Sequence, residues 1–270
     1  MTRLLALAAV WAATAAPPPP NAPIPRDSQP LAARLEATTK DLQAAIDRWR
    51  ADGNPARDGA PEDVSLDALY QQRVYILLAE NSRLASTTLS RLSPSIRRSA
   101  RDDVLARREL GRLSRPRPLS AFKTGRAESA DRLRGYYREA QHRFHVAWQV
   151  LAAVNYVESA YNKLRNASTA GAQGPMQFLP STWRAYGLGG NINDPHDAIL
   201  AAANYLHANG APRSYRRALY RYNPSWLYVD AVLRYTREIR ADERAFYAFY
   251  SRQVFVRTPR GLVRLTGPGR

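Results

Sequence analysis

The stretch NYVESAYNKLRNASTAGAQGPMQFLPSTW, residues 155–183, decides how this sequence is interpreted. It begins as the end of an apolar helix and continues as a nearly uncharged loop that contains Gly171 and Gly174. Glu158 lies at the junction between the two. Apolar neighbours one turn away desolvate a carboxyl group there, and the negative end of the helix dipole also disfavours its charge. Both effects raise the pKa and suit a general acid, but the helix pattern alone favours the simpler alternative of a solvent-facing glutamate.

The loop after the helix has the composition of a ligand-binding segment. Its glycines let the backbone turn sharply or approach a ligand closely. Ser168 and Gln177 are neutral hydrogen-bonding side chains that suit sugar hydroxyl and amide groups. Met176 and Phe178 are apolar and suit the faces of a sugar ring. This composition favours a sugar site beside Glu158.

Four blocks of sequence together resemble the lytic transglycosylases of bacterial cell walls, which have a goose-type lysozyme-like (SLT) fold. In chain order the blocks are VES around Glu158, STAGAQGPMQFLPSTW at 168–183, DPHDAILAAANYL at 194–206 and ALYRYNPSWLYVDAVL at 218–233. They follow the family's order and are therefore highly specific. The resemblance covers about residues 144–235 and is closest to exported, actinobacterial-type members of the family.

The resemblance implies a role for each matching residue. Glu158 corresponds to the catalytic acid/base. Ser168 corresponds to a serine near that carboxylate and near the acetamido group of the substrate. Met176 and Gln177 correspond to a pair of residues that contact the sugar.

The later blocks add a second pair of site residues and the expectation about metals. Tyr222 and Asn223 correspond to a Tyr-Asn pair whose tyrosine lies close to the catalytic glutamate. Some family members have an Asp-rich calcium loop, but residues 187–193, GLGGNIN, contain no carboxylate here. We therefore expect no metal and no other cofactor. Asp194 and Asp197, in an Asp-Pro-x-Asp pattern, are interpreted as caps of the following helix.

The number of carboxylates limits the mechanism. Ordinary glycosidases use two carboxylates at a fixed separation, whereas Glu158 is the only one between residues 156 and 194. The N-acetyl group of the substrate can stabilise the anomeric centre instead. The resemblance implies cleavage of the MurNAc-β-1,4-GlcNAc bond of peptidoglycan glycan strands with formation of 1,6-anhydroMurNAc ends. A hydrolytic muramidase and a non-catalytic cell-wall-binding protein remain alternatives.

The charge of the chain restricts its partners. Lysine and arginine number 40 against 23 acidic residues, which gives a net charge of +17. Such a protein is attracted to polyanions. Anionic wall polymers are the expected partners, because an export signal and the absence of a recognised motif argue against nucleic acid. We expect a monomer.

The first fifteen residues have the pattern of a signal peptide. Arg3 precedes the apolar run LLALAAVWAA, and Ala-Thr-Ala at 13–15 fits a cleavage site. The run is too short to span a membrane, and no other run is long enough. The expected location is the periplasm, the cell wall or the outside of the cell. The chain has no cysteine, so it has neither a disulfide nor a thiolate nucleophile.

The remaining patterns predict a mainly α-helical protein with a lysozyme-like catalytic domain. Its predicted parts are a proline-rich linker (16–29), an N-terminal helical region (30–115), the catalytic domain (126–240) and a basic tail with a small β-hairpin (241–270). The linker is expected to be extended and solvated. Within the catalytic domain, one continuous helix is predicted before the loop, ending near Tyr161.

Overall fold

The computed structural model describes residues 16–270, and the predicted signal peptide of residues 1–15 lies outside them. The described chain is mainly helical and ends in one antiparallel hairpin, as predicted. The elements are α1 (Ser28–Asp52), α2 (Glu62–Glu80), α3 (Ser82–Leu89), α4 (Pro94–Leu113), α5 (Ala130–Phe144), α6 (Trp148–Ser159), α7 (Pro180–Tyr186), α8 (Pro195–Ala208), α9 (Tyr215–Tyr222), α10 (Trp226–Ala241), α11 (Arg244–Ser251), β1 (Phe255–Thr258) and β2 (Gly261–Arg264). Within the described chain, every helix is too short or too polar to cross a membrane.

The larger hydrophobic core crosses the boundary that the sequence suggested. Trp49 of α1 and Ala106 of α4 are buried in the same cluster as Phe246 of α11 and the apolar face of α6. A second, smaller cluster lies among α1 to α4 and the segments next to them. The regions 30–115 and 126–240 therefore share a core. The division of the chain into these two regions is a prediction from the sequence.

The single helix predicted before the loop is wrong, because the structure has two helices there, α5 and α6. His145 ends α5 in a left-handed conformation with φ 57°. The hydroxyl of Tyr215 accepts the N–H of Ala147 at 2.9 Å. The side chain of Gln141 accepts the N–H of Trp148 at 2.7 Å. Distant side chains thus satisfy the first donors of α6, and neither glycine nor proline marks the break.

The proline-rich segment is extended, but it is not the solvated spacer that its composition predicts. Ala22 is buried against the smaller cluster. Arg73 of α2 donates to the carbonyl groups of Pro20 and Ala22, at 3.1 and 2.9 Å. A proline-rich segment keeps its carbonyl acceptors free of local N–H donors, which explains why α2 can hold it.

A buried charge cluster fastens α4 and the chain after α11 to α6 and α10. Asp103 is fully buried between Arg107, whose Nε lies 2.6 Å from Oδ1, and Arg252, whose Nη1 lies 2.5 Å from Oδ2. Both arginines also donate to the hydroxyl of Tyr156 in α6, at 3.4 and 3.3 Å. Glu238 of α10 is buried beside them, and burial followed by the charge of Asp103 raises its pKa well above the usual value.

Candidate functional site

Glu158 lies in the last turn of α6, as predicted, directly before an unusual backbone turn. Ala160, Tyr161 and Asn162 all adopt positive φ, at 50°, 61° and 64°. Each non-glycine residue in such a conformation costs on the order of 1–3 kcal/mol, so surrounding contacts must enforce it. Strain of this kind is typical of functional sites, and here it immediately follows the candidate acid.

Ser159 connects the end of α6 to the glycine-rich loop. Its hydroxyl donates to the carbonyl of Pro175 at 2.6 Å and accepts the N–H of Asn162 at 2.8 Å. The preceding Gly174 has φ 74°, and a Cβ there would lie 1.9 Å from the carbonyl oxygen of Ile192. Only glycine fits that close approach. The loop is therefore held at residues 174 and 175, between α6 and the segment before α8.

The carboxyl group of Glu158 has a hydroxyl partner and no cation beside it. Tyr228 of α10 donates its hydroxyl to Oε1 at 2.6 Å. Within residues 16–270, no lysine or arginine forms a salt bridge with the group. Burial therefore raises the pKa of Glu158 to about 7, while the hydrogen bond from Tyr228 opposes the rise. Near neutral pH the group can both donate and accept a proton.

The two residues of the predicted Tyr-Asn pair have different surroundings in the structure. Tyr222 donates its hydroxyl to the carbonyl of Met176 at 2.6 Å. Burial and the nearby charge of Glu158 raise the pKa of Tyr222 well above its usual value, which is consistent with the proximity that the resemblance implied. Asn223 is the C-cap of α9, and neither Tyr222 nor Asn223 is among the residues that line the groove described below.

The expected sugar contacts of Met176 and Phe178 are contradicted by the structure. Met176 is fully buried, and Phe178 is buried against Trp183 and Tyr222. A side chain inside the core cannot pack on a sugar ring. The apolar character of both residues therefore reflects core packing, and Met176 contributes its carbonyl group to the position of Tyr222.

Ser168 and Gln177 do face the groove. The Ser168 oxygen accepts the N–H groups of Ala170 and Ala172 at 3.2 and 3.0 Å. Its hydroxyl proton is therefore free to be donated to a ligand. Gln177 has φ 49° and donates its side-chain amide to the carbonyl of Gly174 at 3.0 Å. These bonds fix both polar side chains before any ligand arrives.

Glu158, Ser168 and Gln177 line one groove of about 950 Å³. Much of its opposite wall comes from α2, α4, the segment that links α4 to α5, and the C-terminal hairpin. Glu80, exposed at the end of α2, also lines the groove. Sequence reasoning missed Glu80 because it counted carboxylates only near Glu158 along the chain. It also missed Tyr228 as the partner of Glu158, since 70 residues separate them.

Of the two aspartates at the start of α8, Asp194 caps the helix as predicted, whereas Asp197 binds the loop before the helix. Asp194 Oδ1 accepts the N–H of Asp197 at 3.1 Å, and Asp197 Oδ2 accepts the N–H of Asn191 at 2.8 Å. With His196, whose Nε2 lies 2.9 Å from a Glu139 oxygen, they place three potential metal-ligand atoms within 4.8 Å of one another. Asp194 already caps α8, Asp197 already accepts a backbone N–H of the loop, and His196 is already paired with Glu139.

The helical fold and the carboxyl group at the end of α6 are those of a lysozyme-like domain. Residues 135–241 match the family model described as the Transglycosylase SLT domain. The family match lies within α5 to α10, the elements that supply Glu158, Ser168, Gln177 and Tyr228.

Two curated relatives show local similarity. Membrane-bound lytic murein transglycosylase F of Thiobacillus denitrificans is 28% identical over 148 residues, 53% of this chain and 31% of the relative. A protein of Rhodococcus jostii named 4-diphosphocytidyl-2-C-methyl-D-erythritol kinase is 34% identical over 101 residues, 37% of this chain and 32% of the relative. The chain thus covers about a third of each relative. No solved structure shows significant similarity to it. Since the two names describe different chemistry, the site itself must support any function.

Proposed function

We propose that the chain is a peptidoglycan lytic transglycosylase that cleaves the MurNAc-β-1,4-GlcNAc bond with Glu158 as its single acid/base. One observation carries the proposal: the half-buried carboxyl group of Glu158 lines a large groove, and desolvation raises its pKa to about 7. The family match of residues 135–241 supports the same class of reaction. Ser168, Gln177 and Tyr222 complete the proposed site, and Asn223 belongs to it only as the end of α9.

The first step transfers a proton from Glu158 to the glycosidic oxygen. Tyr228 donates to Oε1, so the carboxyl proton is carried by the other oxygen. As the bond between the anomeric carbon and this oxygen breaks, the GlcNAc-ended fragment leaves as an alcohol. The acetamido oxygen of the substrate forms a bond to the anomeric carbon, which removes the need for a second carboxylate. The free hydroxyl proton of Ser168 is suited to hold that acetamido group.

The second step returns the proton to Glu158. The carboxylate, stabilised by the Tyr228 hydroxyl, takes the proton of the C6 hydroxyl of muramic acid. The C6 oxygen then bonds to the anomeric carbon and releases the acetamido oxygen, which closes the 1,6-anhydro ring. This hydroxyl competes well with water because it is already in position. No water is consumed, and the enzyme ends in its starting protonation state.

The location and partners follow from this substrate. We propose that the chain is exported and acts on peptidoglycan glycan strands in the periplasm, in the cell wall or outside the cell. Its net charge of +17 favours binding to anionic wall polymers as well. Binding to purified cell walls should weaken as salt rises, since salt screens exposed charges.

Mass analysis of cleaved cell walls tests the proposal, with two glutamine variants as a matched pair. Glu158→Gln should lower the cleavage rate about 10²- to 10⁴-fold, because it removes the general acid. Glu80→Gln, which removes the exposed carboxylate of the same groove, should keep the rate within twofold. A large loss in both variants would instead indicate a two-carboxylate mechanism.

The products separate the remaining alternatives. Anhydro ends, lighter than reducing ends by one water molecule, support a transglycosylase. Reducing ends would indicate the hydrolytic muramidase. Full lytic activity of Glu158→Gln would refute the proposed role of Glu158, and no cleavage by the wild-type chain would favour the wall-binding alternative.

A further inference from the structure

Four arginines line the groove without a carboxylate partner: Arg112, Arg115, Arg117 and Arg257, which together form the arginine wall. Within residues 16–270 eleven arginines form salt bridges, and none of these four is among them. The fold thus pairs arginines widely but leaves this set available. Arg112, Arg115 and Arg257 are exposed, and the groove keeps them near one another.

The other charged groups of the groove do not neutralise the arginine wall. Arg107 is paired with Asp103, and Arg108 donates to the carbonyls of Leu78 and Ala79 at the end of α2. Glu80 lines the groove without a salt bridge in the described chain. Glu158 is half protonated near neutral pH. The groove therefore carries a net positive charge on its outer wall.

Backbone contacts join parts of the arginine wall and bring it close to the proposed sugar site. The backbone N–H of Arg117 donates to the carbonyl of Arg257 at 3.0 Å, which joins the linking segment to β1. Arg257 lies over the last turn of α4, since a Cβ on Gly111 would be 4.0 Å from its Nη2. The guanidinium of Arg117 donates to the carbonyl of Ala167 at 3.3 Å, one residue before Ser168.

The covalent structure of muramic acid indicates what would meet this wall. The acetamido group is on C2, and the lactyl ether that carries the stem peptide is on the neighbouring C3. If Ser168 holds the acetamido group, as proposed above, the peptide leaves the ring close to Ser168. The peptide carries free carboxylates, and guanidinium groups bind carboxylates in a planar, two-bond geometry.

We propose that the arginine wall is a subsite for the carboxylates of the muramic acid stem peptide, so that the enzyme prefers peptide-bearing strands. This inference rests on the proposed function for the position of the sugar. The raised pKa of Glu158 has burial as its main cause, opposed by the hydrogen bond from Tyr228. The wall therefore acts on substrate binding and leaves the chemical step to α6 and α10. All four arginines lie outside residues 135–241, so the subsite is built by segments that surround the SLT domain.

Cleavage of two substrates by a triple variant tests the subsite. Arg112→Gln/Arg115→Gln/Arg257→Gln should lower kcat/KM on intact, peptide-bearing strands about tenfold at low salt, mainly through KM. On strands stripped of their peptides by an amidase, its kcat/KM should stay within twofold of wild type. The difference between the substrates should shrink at high salt.

A second triple variant is the matched control. Arg91, Arg98 and Arg101 are exposed, form no salt bridge in the described chain and lie outside the groove. Their replacement by glutamine removes the same charge and should leave both rates within twofold. Thermal unfolding of all three proteins should agree within a few degrees, which separates binding from stability.

Each remaining outcome decides between the two proposals. Equal loss on both substrates, or no loss on either, would overturn the subsite. If the wild-type chain cleaves neither substrate, the proposed function fails, and binding of the free stem peptide to wild type and triple variant still tests the wall. Weaker binding of inorganic polyphosphate with unchanged peptide binding would also overturn it, in favour of phosphate-bearing wall polymers.

Discussion

Glu158 and Asp103 are both carboxyl groups inside this protein, and the structure surrounds them in opposite ways. Asp103 lies between Arg107 and Arg252, at 2.6 and 2.5 Å. Burial alone would lower the pKa of Arg252, but the charge of Asp103 raises it well above its usual value. Glu158 has only the hydroxyl of Tyr228, and burial raises its pKa to about 7.

The different surroundings give Asp103 a structural role and Glu158 a chemical one. Asp103 forms ion pairs with Arg107 and Arg252, so its role is to hold α4 to the chain after α11. A buried carboxyl group without a cation titrates near neutral pH. Tyr156, two residues before Glu158, accepts hydrogen bonds from both arginines of the Asp103 cluster. The charge cluster therefore supports the helix on which the acid lies.

The largest effect on stability should come from removing the charge of the Asp103 cluster. Asp103→Asn/Glu238→Gln leaves Arg107 and Arg252 buried without an anion, and the free energy of unfolding should fall by about 3–5 kcal/mol. Asp103→Asn alone should cost less, because the pKa of Glu238 falls once Asp103 is neutral, and Glu238 then supplies a charge. Denaturant unfolding measures both. Equal losses in the two variants would show that Glu238 does not compensate.

Glu158→Gln should change stability in the opposite direction. The pKa of Glu158 is about 7 in the folded state against an ordinary 4.5, so the folded state binds the extra proton between these values. Wild-type stability therefore falls as pH rises from about 4.5 to 7, and the loss is complete above pH 7. Glutamine cannot ionise, so the variant should exceed wild type by up to about 3 kcal/mol at pH 8.

Denaturant unfolding at pH 5 and pH 8 measures this difference. Glu80→Gln, at an exposed position of the same groove, is the control and should show the same stability relative to wild type at both pH values. If Glu158→Gln behaved like this control, the carboxyl group would already be charged at pH 5, and the contrast with Asp103 would disappear.

Tyr228→Phe should have a smaller effect, on catalysis rather than folding. The tyrosine hydroxyl stabilises the carboxylate form, so its loss should raise the pKa of Glu158 further. The pH at which kcat/KM falls should therefore become higher. Because the carboxylate formed in the first step loses its hydrogen bond, kcat near pH 7 should also drop about tenfold. A purely structural role of Tyr228 would lower stability and leave the position of the fall unchanged.

Much of this site was predictable from the sequence because it is local. The position of Glu158 in the last turn of α6 and the cap at Asp194 each depend on a few neighbouring residues. The fold class and the hairpin also follow from local patterns.

The errors concern contacts between distant parts of the chain. The break between α5 and α6 depends on Tyr215, which supplies a hydrogen-bond acceptor from α9. Tyr228 reaches Glu158 across 70 residues. Met176 looked like a sugar contact because an apolar loop residue can be exposed or buried, and only packing decides which. The arginine wall of the groove was missed for the same reason. Its arginines come from α4, the linking segment and β1, which come together only in the folded protein.

The protonation of Glu158 is the claim that a single titration tests most directly. The side-chain carboxyl carbons of glutamate can be labelled with carbon-13 and followed by NMR from pH 4 to pH 9, and the signal missing in Glu158→Gln assigns the residue. A titration midpoint near 7 is the predicted result. A midpoint near 4.5, the value of an ordinary exposed glutamate, would contradict the account.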